Sequence, residues 1–276
     1  MRTVLLHEMT RSDFQEYLKR QSDPVAVLAL GSVEQHGPHI ALGRDCYGAL
    51  QIAQEVARCT DSVVVHPCWP GISEHHMGFC GTITLEVETL ACIIRDVVYS
   101  LFRHGVTKAM LVNNHGGNRH SLEYAISLCR RKCGPSIEVM IAPAAESALS
   151  KEEKLRRYFD LDIHSGKRET ARMLAVHPEL VDMERVKGWT PTTVVPGRLR
   201  QALGNPAESE FAMLLFSTIQ PPTHELTASG IYGFASPNDA VAAEGLAENE
   251  HRIAELVRLI GLWREVSREW RKIREV

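Results

Sequence analysis

The chain has 276 residues, of which 44% are hydrophobic, and a formal net charge of −3. A nearly balanced charge without a basic stripe argues against a nucleic-acid partner, and no apolar run approaches the length of a membrane span. The N-terminal apolar stretch is too short for a signal peptide, and seven cysteines without a CxxC pair favour reduced thiols, so we expect a cytoplasmic protein. This length suits one α/β domain covering residues 1–276.

Predicted strands and helices alternate along the chain, which indicates a mostly parallel sheet. Strands are predicted at 25–30, 62–66, 108–113 and 137–142, and helices at 45–58, 86–103, 119–133, 168–177 and 239–274. The segment 184–237 is rich in proline and glycine and has weak periodicity, so we expect an irregular excursion near the functional site or at a subunit interface.

The first polar motif follows the first predicted strand directly. Residues 31–39 read GSVEQHGPH and residues 42–45 read LGRD, which brings together Glu34, His36 and Asp45. Imidazole nitrogen and carboxylate oxygen are the ligands of catalytic zinc, manganese and iron sites. Carboxylates this close repel each other unless positive charge lies between them. A polar loop that starts the next helix is the simpler alternative, but this packing of ligand types favours a metal site.

Two later motifs add further ligand types. NNHGGN at 113–118 follows another predicted strand and contains His115. DIHSGKRET at 162–170 opens a predicted helix and contains His164 and Glu169. Loops after different strands of a parallel sheet converge at its carboxyl edge, so we expect His115 to meet the residues of the first motif.

These motifs resemble the signatures of the creatininase family of metal-dependent amidohydrolases. GISEHHMGFCGT at 71–82 resembles the family's substrate loop, and GIYG at 230–233 followed by AEG at 243–245 resembles its C-terminal signature. The similarity spans roughly residues 20–250. The resemblance implies a three-layer α/β/α sandwich, a dinuclear metal centre and a homohexamer.

The resemblance also implies roles for individual residues. Glu34 and His115 would hold one metal ion and His36 the other, with Asp45 bridging them. His164 would be the acid/base group that also contacts the substrate.

Four residues are candidates for substrate binding. Ser73 would contact the substrate in the family's substrate loop, and either His75 or its neighbour His76 is a further candidate. The backbone amides of Gly116 and Gly117 are expected to hold a substrate oxygen.

Two departures separate this chain from creatininase itself. Gly117 stands where creatininase has a metal-ligating carboxylate, and members with HGGN use the glutamate that corresponds to Glu169 instead. Asp160 stands where creatininase has a tryptophan that stacks on its flat substrate. Both changes argue against creatinine as the substrate. The alternative role for Glu169 is to stabilise the helix N-terminus, where a carboxylate is worth under ~1 kcal/mol.

We therefore expect metal-dependent hydrolysis of a carbon–nitrogen bond in a small cyclic amide, lactam or formamide. Two divalent ions of Zn, Mn or Fe would lower the pKa of a bridging water from about 15.7 toward ~7. The resulting hydroxide would attack the carbonyl, and His164 would deliver a proton to the departing nitrogen. A peptidase of redox-cofactor maturation, a lactonase and a non-catalytic metal-dependent binding protein are the alternatives.

Overall fold

A computed structural model describes residues 2–144, 150, 152–153, 160–219 and 221–274. At its centre is a four-stranded sheet in the order β2-β1-β3-β4, in which neighbouring strands run parallel. The strands are β1 Val25–Leu30, β2 Val63–Val65, β3 Lys108–Asn113 and β4 Glu138–Ile141. Every residue of β1 is buried, as expected for an inner strand of a parallel sheet that is covered on both faces.

Helices cover both faces of the sheet and also build much of the chain that follows it. In chain order they are α1 Arg11–Arg20, α2 Arg44–Thr60, α3 Val87–Arg103, α4 Arg119–Cys133, α5 Lys167–Val176, α6 Gly197–Leu203, α7 Ser209–Ile219, α8 Thr223–Leu226 and α9 Ala242–Arg274. Within the part of the chain that the structure describes, every helix is too short or too polar to cross a bilayer.

Two hydrophobic cores lie on opposite faces of the sheet, because successive side chains of a strand point to opposite sides. Ala26 and Leu28 pack with residues of α3 and α4 on one face. Val25 and Val27 pack with residues of α2 and α9 on the other. The chain is therefore an α/β/α sandwich around a parallel sheet, which confirms the predicted fold class.

The observed elements differ from the predicted ones in three places. The sequence pattern misses α1, in which Tyr17 is the buried residue and most other positions are polar. The last helix begins at Ala242 rather than at 239, because Pro237–Asp239 form a separate 3-10 turn capped by Ser236. The segment 184–237 contains α6, α7 and α8 and is therefore less irregular than expected. That residues 1–276 form one domain stays a prediction.

The carboxyl edge of the sheet gathers the loops that carry the polar motifs. The backbone N–H of Asn114, after β3, donates to the carbonyl of Leu30 at the end of β1 over 3.0 Å. The buried amide of Asn118 joins three loops. Its Oδ1 accepts from the N–H of Ile72 at 2.9 Å, and its Nδ2 donates to the carbonyl of Gly31 at 2.9 Å. These bonds fix the loops relative to one another and so define the geometry of the site.

Candidate metal centre

Six side chains named by the sequence motifs meet at the carboxyl edge of the sheet. Two come from the loop after β1, one from the loop after β3, one from the loop before α5, and one each from the first turns of α2 and α5. They are Glu34, His36, His115, His164, Asp45 and Glu169. The convergence predicted for loops of a parallel sheet is therefore present.

Asp45 lies between two histidines, with one oxygen toward each. Its Oδ1 is 3.6 Å from Nε2 of His36, and its Oδ2 is 3.2 Å from Nδ1 of His115. Nδ1 of His115 is also 3.3 Å from Oε1 of Glu34. Metal bonds of about 2.1 Å place neighbouring ligands of a tetrahedral ion roughly 3.4 Å apart, so these spacings suit an ion. We call Glu34, Asp45 and His115 the first ion site.

A second group of ligand atoms shares Asp45 with the first. Oε2 of Glu169 lies 3.8 Å from the same Nε2 of His36 that faces Asp45. His36, Asp45 and Glu169 each offer one ligand atom, and these atoms lie within 4.8 Å of one another. We call these three residues the second ion site. Because Gly117 has no side chain to offer, this site needs a carboxylate from another part of the chain, and Glu169 lies in position to supply it.

Glu169 also makes contacts that a helix-stabilising role would explain. Its Oε2 accepts a hydrogen bond from the backbone N–H of Ser165 at 2.7 Å, just before α5. Ser165 has a positive φ of 58°, which turns the chain between His164 and the helix. The geometry therefore accommodates both roles considered from the sequence.

The backbone fixes the ring orientation of three histidines at the centre. Each has one ring nitrogen within hydrogen-bond distance of a backbone carbonyl: Nδ1 of His36 with Glu34 at 3.1 Å, Nε2 of His115 with Ile72 at 2.8 Å and Nε2 of His164 with Gln35 at 2.7 Å. We assign an N–H donor to each of these nitrogens, so the other nitrogen is the one that could give its lone pair to a metal ion at the centre. Metal-binding histidines commonly use this arrangement to fix the tautomer.

Two buried atoms of the centre support its fit to a cation. Among the described residues, Oε1 of Glu34 and Nε2 of His36 find no hydrogen-bond partner. An unpaired buried polar atom costs about 1–3 kcal/mol, and three neighbouring carboxylates repel one another. A divalent cation among these atoms would relieve both costs, so the residues present fit a divalent metal centre.

The charge state of the carboxylates agrees with that fit. Burial raises the pKa of Asp45, but the charge of His36, hydrogen bonds from His115 and His36, and the charge of Arg44 outweigh burial and hold this pKa well below its usual range. The carboxylates in turn raise the pKa of His36 and His115, so both rings carry protons that a bound metal ion would displace. For Glu169, burial also raises the pKa, and the charges of Arg44 and the histidines lower it further than burial raises it. The centre therefore keeps ionised carboxylates, which are the form that binds metal.

His164 faces the centre from its edge. Its Nδ1 lies 3.7 Å from Oε1 of Glu34 and 3.9 Å from Oε2 of Glu169. Burial, followed by the neighbouring His36, lowers the pKa of His164 to about 4. The neutral ring can accept a proton at Nδ1. Glu34, His36 and His164 also form a group of potential ligands, as do Glu34, His75 and His115. The acid/base role predicted for His164 therefore stays a prediction.

Ser73 has a different environment from the one expected of a substrate contact. Its hydroxyl donates to Oε2 of Glu34 at 2.6 Å and lies against the hydroxyl of Ser32. Ser73 is fully buried, and the described lining of the cavity does not include it. The geometry therefore favours a role in orienting Glu34.

A cavity of about 800 Å³ opens onto the centre. The other predicted substrate contacts, His75, Gly116 and Gly117, line it. Part of its wall comes from the segment 184–237, through Pro221, Pro222, Thr223 and Tyr232. This segment therefore lies near the functional site, which is one of the two positions expected for it from the sequence.

Sequence reasoning missed Arg44, whose guanidinium is fully buried at the centre. Nη1 of Arg44 lies 2.7 Å from Oδ1 of Asp45 and 3.1 Å from Oε1 of Glu169. The residue stands next to Asp45 within the first motif. A cation is not a ligand type, so a search for ligands passes over it.

His76 was considered only as a substrate contact but is a buried neighbour of Glu34. Its Nε2 lies 3.5 Å from Oε1 of Glu34, and its Nδ1 accepts from Nε2 of Gln35 at 3.0 Å. We assign this tautomer from the bond to Gln35, and it directs an N–H toward the centre. The position of His76 in the GISEHHMGFCGT motif was the available signal.

Curated relatives share about a quarter of their residues with this chain. The creatinine amidohydrolase of Pseudomonas putida is 27% identical over 71% of this chain and 80% of its own length. A 3-dehydro-scyllo-inosose hydrolase of Thermotoga maritima is 28% identical over 70% of this chain and 62% of its own length. The mycofactocin precursor peptide peptidase of Mycolicibacterium smegmatis is 29% identical over 69% of this chain and 74% of its own length.

The fold and the family agree with these relatives. A solved creatininase in its Mn form has a TM-score of 0.74 at 21% identity and covers 94% of this chain and 97% of its own. The family model described as creatinine amidohydrolase matches residues 7–260. The chain therefore belongs to the creatininase family of hydrolases.

Proposed function

We propose that this protein is a metal-dependent amidohydrolase that cleaves a carbon–nitrogen bond in a small cyclic amide, lactam or formamide. The observation that carries the proposal is the pair of buried atoms, Oε1 of Glu34 and Nε2 of His36, that lack a partner among the described residues. They lie among ligand-type side chains that also line the cavity, so a substrate would meet the centre directly.

The residues fit two divalent ions of Zn, Mn or Fe. The first ion site would take one and the second ion site the other, with Asp45 shared. Such ions supply activation of water and polarisation of the substrate carbonyl. Imidazole and carboxylate ligands suit all three metals, so metal identity depends on availability as well as affinity.

His164 would move the proton that hydrolysis requires. Its Nδ1 is free to accept a proton during attack and to return it to the departing nitrogen. The bond from its Nε2–H to the carbonyl of Gln35 holds the ring for both steps. Ser73 would hold Glu34 in its ligand orientation through the 2.6 Å hydrogen bond.

The cavity wall would orient the substrate. His75 and the backbone amides of Gly116 and Gly117 lie where they could contact a carbonyl oxygen. A volume of about 800 Å³ is within the range of small-molecule sites, which favours a small substrate. A peptide is the second candidate, because one relative is a peptide peptidase.

We also propose that the chain forms a homo-oligomer, a hexamer as the resemblance implies, and acts in the cytoplasm. Helix α7 exposes large apolar side chains at three- and four-residue spacing, Phe211, Leu214 and Leu215. Exposed apolar stripes of this kind support subunit contacts. Light scattering on the purified protein measures the number of chains directly.

Metal reconstitution with a substrate panel tests the proposed function. Metal-free protein is reloaded with Zn²⁺, Mn²⁺ or Fe²⁺ and assayed on cyclic amides, lactams, formamides, a lactone and short peptides. Metal-dependent hydrolysis of the amides, abolished by His36→Ala or His115→Ala, is the expected result. Turnover of peptides alone would show that the substrate is a peptide rather than a small amide. Metal binding without any turnover would indicate a binding protein.

A further inference from the structure

Arg44 is a buried charge at the centre to which the proposed mechanism gives no part. Its side chain is only 2% exposed, at the start of α2. Its Nη1 contacts Oδ1 of Asp45 and Oε1 of Glu169, which belong to two different helices. One guanidinium nitrogen thus lies against both carboxylates of the second ion site.

One divalent ion is enough to balance the charges of the centre. Glu34, Asp45 and Glu169 carry three negative charges when ionised. Arg44 and a single divalent ion together neutralise these charges. A second divalent ion then adds two positive charges to a buried site, which the hydroxide needed for hydrolysis offsets only in part, and charges of like sign repel strongly there.

The contacts of Arg44 decide which ion is affected more. Oδ1 of Asp45, which Arg44 contacts at 2.7 Å, is the oxygen that faces His36. The other oxygen of Asp45 faces His115 in the first ion site. The two carboxylates that Arg44 contacts are therefore ligands of the second ion site.

We propose that Arg44 lowers the affinity of the second ion site, so that this site fills only after the first and holds its ion more weakly. Arg44 is a positioning residue as well, because it holds Glu169 by Oε1 and leaves Oε2 directed toward His36. The inference rests on the proposed function, since it requires that the centre binds metal.

Calorimetric titration of metal-free protein with Zn²⁺ or Mn²⁺ tests the inference on the wild type alone. Two binding steps that differ in affinity by at least about tenfold are expected, because each nearby buried charge shifts binding by this amount or more. Two ions bound with equal affinity would overturn the proposal. Binding of no ion at all would instead remove the proposed function.

Variants then test whether Arg44 causes the difference. Arg44→Met should tighten the second step by at least about tenfold, whereas Arg44→Lys, which keeps the charge, should retain two separated steps. Arg44→Gln removes the charge but keeps a hydrogen-bond donor, and it decides the question if Arg44→Met does not fold. Lys108→Met is the matched control, because Lys108 is a fully buried cation paired with Asp23 at 2.6 Å outside the centre. A second step that is unchanged or weaker in folded Arg44→Met or Arg44→Gln would contradict the proposal.

Discussion

Gly117 lies so close to the carbonyl oxygen of Ile72 that a Cβ atom at residue 117 would be only 2.1 Å from it. The same Cβ would lie 2.5 Å from Nε2 of His115. Since both atoms form the hydrogen bond that orients His115, this backbone has no room for any side chain at residue 117. A ligand from this turn is therefore excluded in this conformation, and the second ion site depends on another carboxylate.

Gly117→Ala should displace His115 and lower the metal content of the purified protein together with its activity. Gly116→Ala is the matched control, because a Cβ at residue 116 would meet no heavy atom of the described structure within 4 Å. That control should keep its metal. Metal analysis by plasma emission compares the two, and full metal content in Gly117→Ala would show that the contact with His115 does not matter.

Glu169→Gln should lose the ion of the second ion site and nearly all activity, because His36 and Asp45 alone leave fewer than the three protein ligands of a usual catalytic site. If Glu169 only stabilises α5, the variant should lose less than about 1 kcal/mol of stability and keep its metal. Metal content and thermal unfolding, measured together, separate the two roles. Glu88→Gln, in the first turn of α3, controls for loss of a carboxylate at a helix start.

His164→Ala should keep both ions while turnover falls by roughly 10²- to 10⁴-fold, the usual effect of losing a general acid or base. Its Nδ1 lies 3.7 Å from Glu34 and 3.9 Å from Glu169. Both distances are longer than those from His36 and His115 to Asp45, which are 3.6 and 3.2 Å. Loss of one ion on mutation would assign His164 as a ligand instead.

Ser73→Ala should weaken metal binding by about 10- to 100-fold, as is common when a group that orients a ligand is removed. The reason is the hydrogen bond from its hydroxyl to Oε2 of Glu34. A direct substrate contact would leave metal binding unchanged and raise KM. Calorimetry and steady-state kinetics on the same variant distinguish the two outcomes.

The sequence was sufficient for the sheet and for the convergence of the ligand-type residues. Apolar runs such as Val25–Leu30 define strands by themselves, and a parallel sheet brings the loops that follow them to one edge. The observed strands lie within one residue of the predicted ends.

Burial and long-range contacts account for what the sequence did not reveal. Ser73 lies in the substrate-loop motif, but only the fold shows that its hydroxyl donates a hydrogen bond to Glu34. Arg44 stands beside Asp45 in the sequence, yet its other partner, Glu169, belongs to a helix much later in the chain. Helix α1 packs on the core through only three apolar residues, Phe14, Tyr17 and Leu18, and its other positions are polar, so its sequence signal is short.

Anomalous X-ray scattering from crystals grown with Mn²⁺ or Zn²⁺ would show directly whether the centre holds two ions. Two anomalous peaks are expected, one among Glu34, Asp45 and His115 and the other among His36, Asp45 and Glu169. Crystals soaked at limiting metal concentration should show the first peak before the second. The absence of both peaks at saturating metal, or peaks only at other residues, would contradict the account.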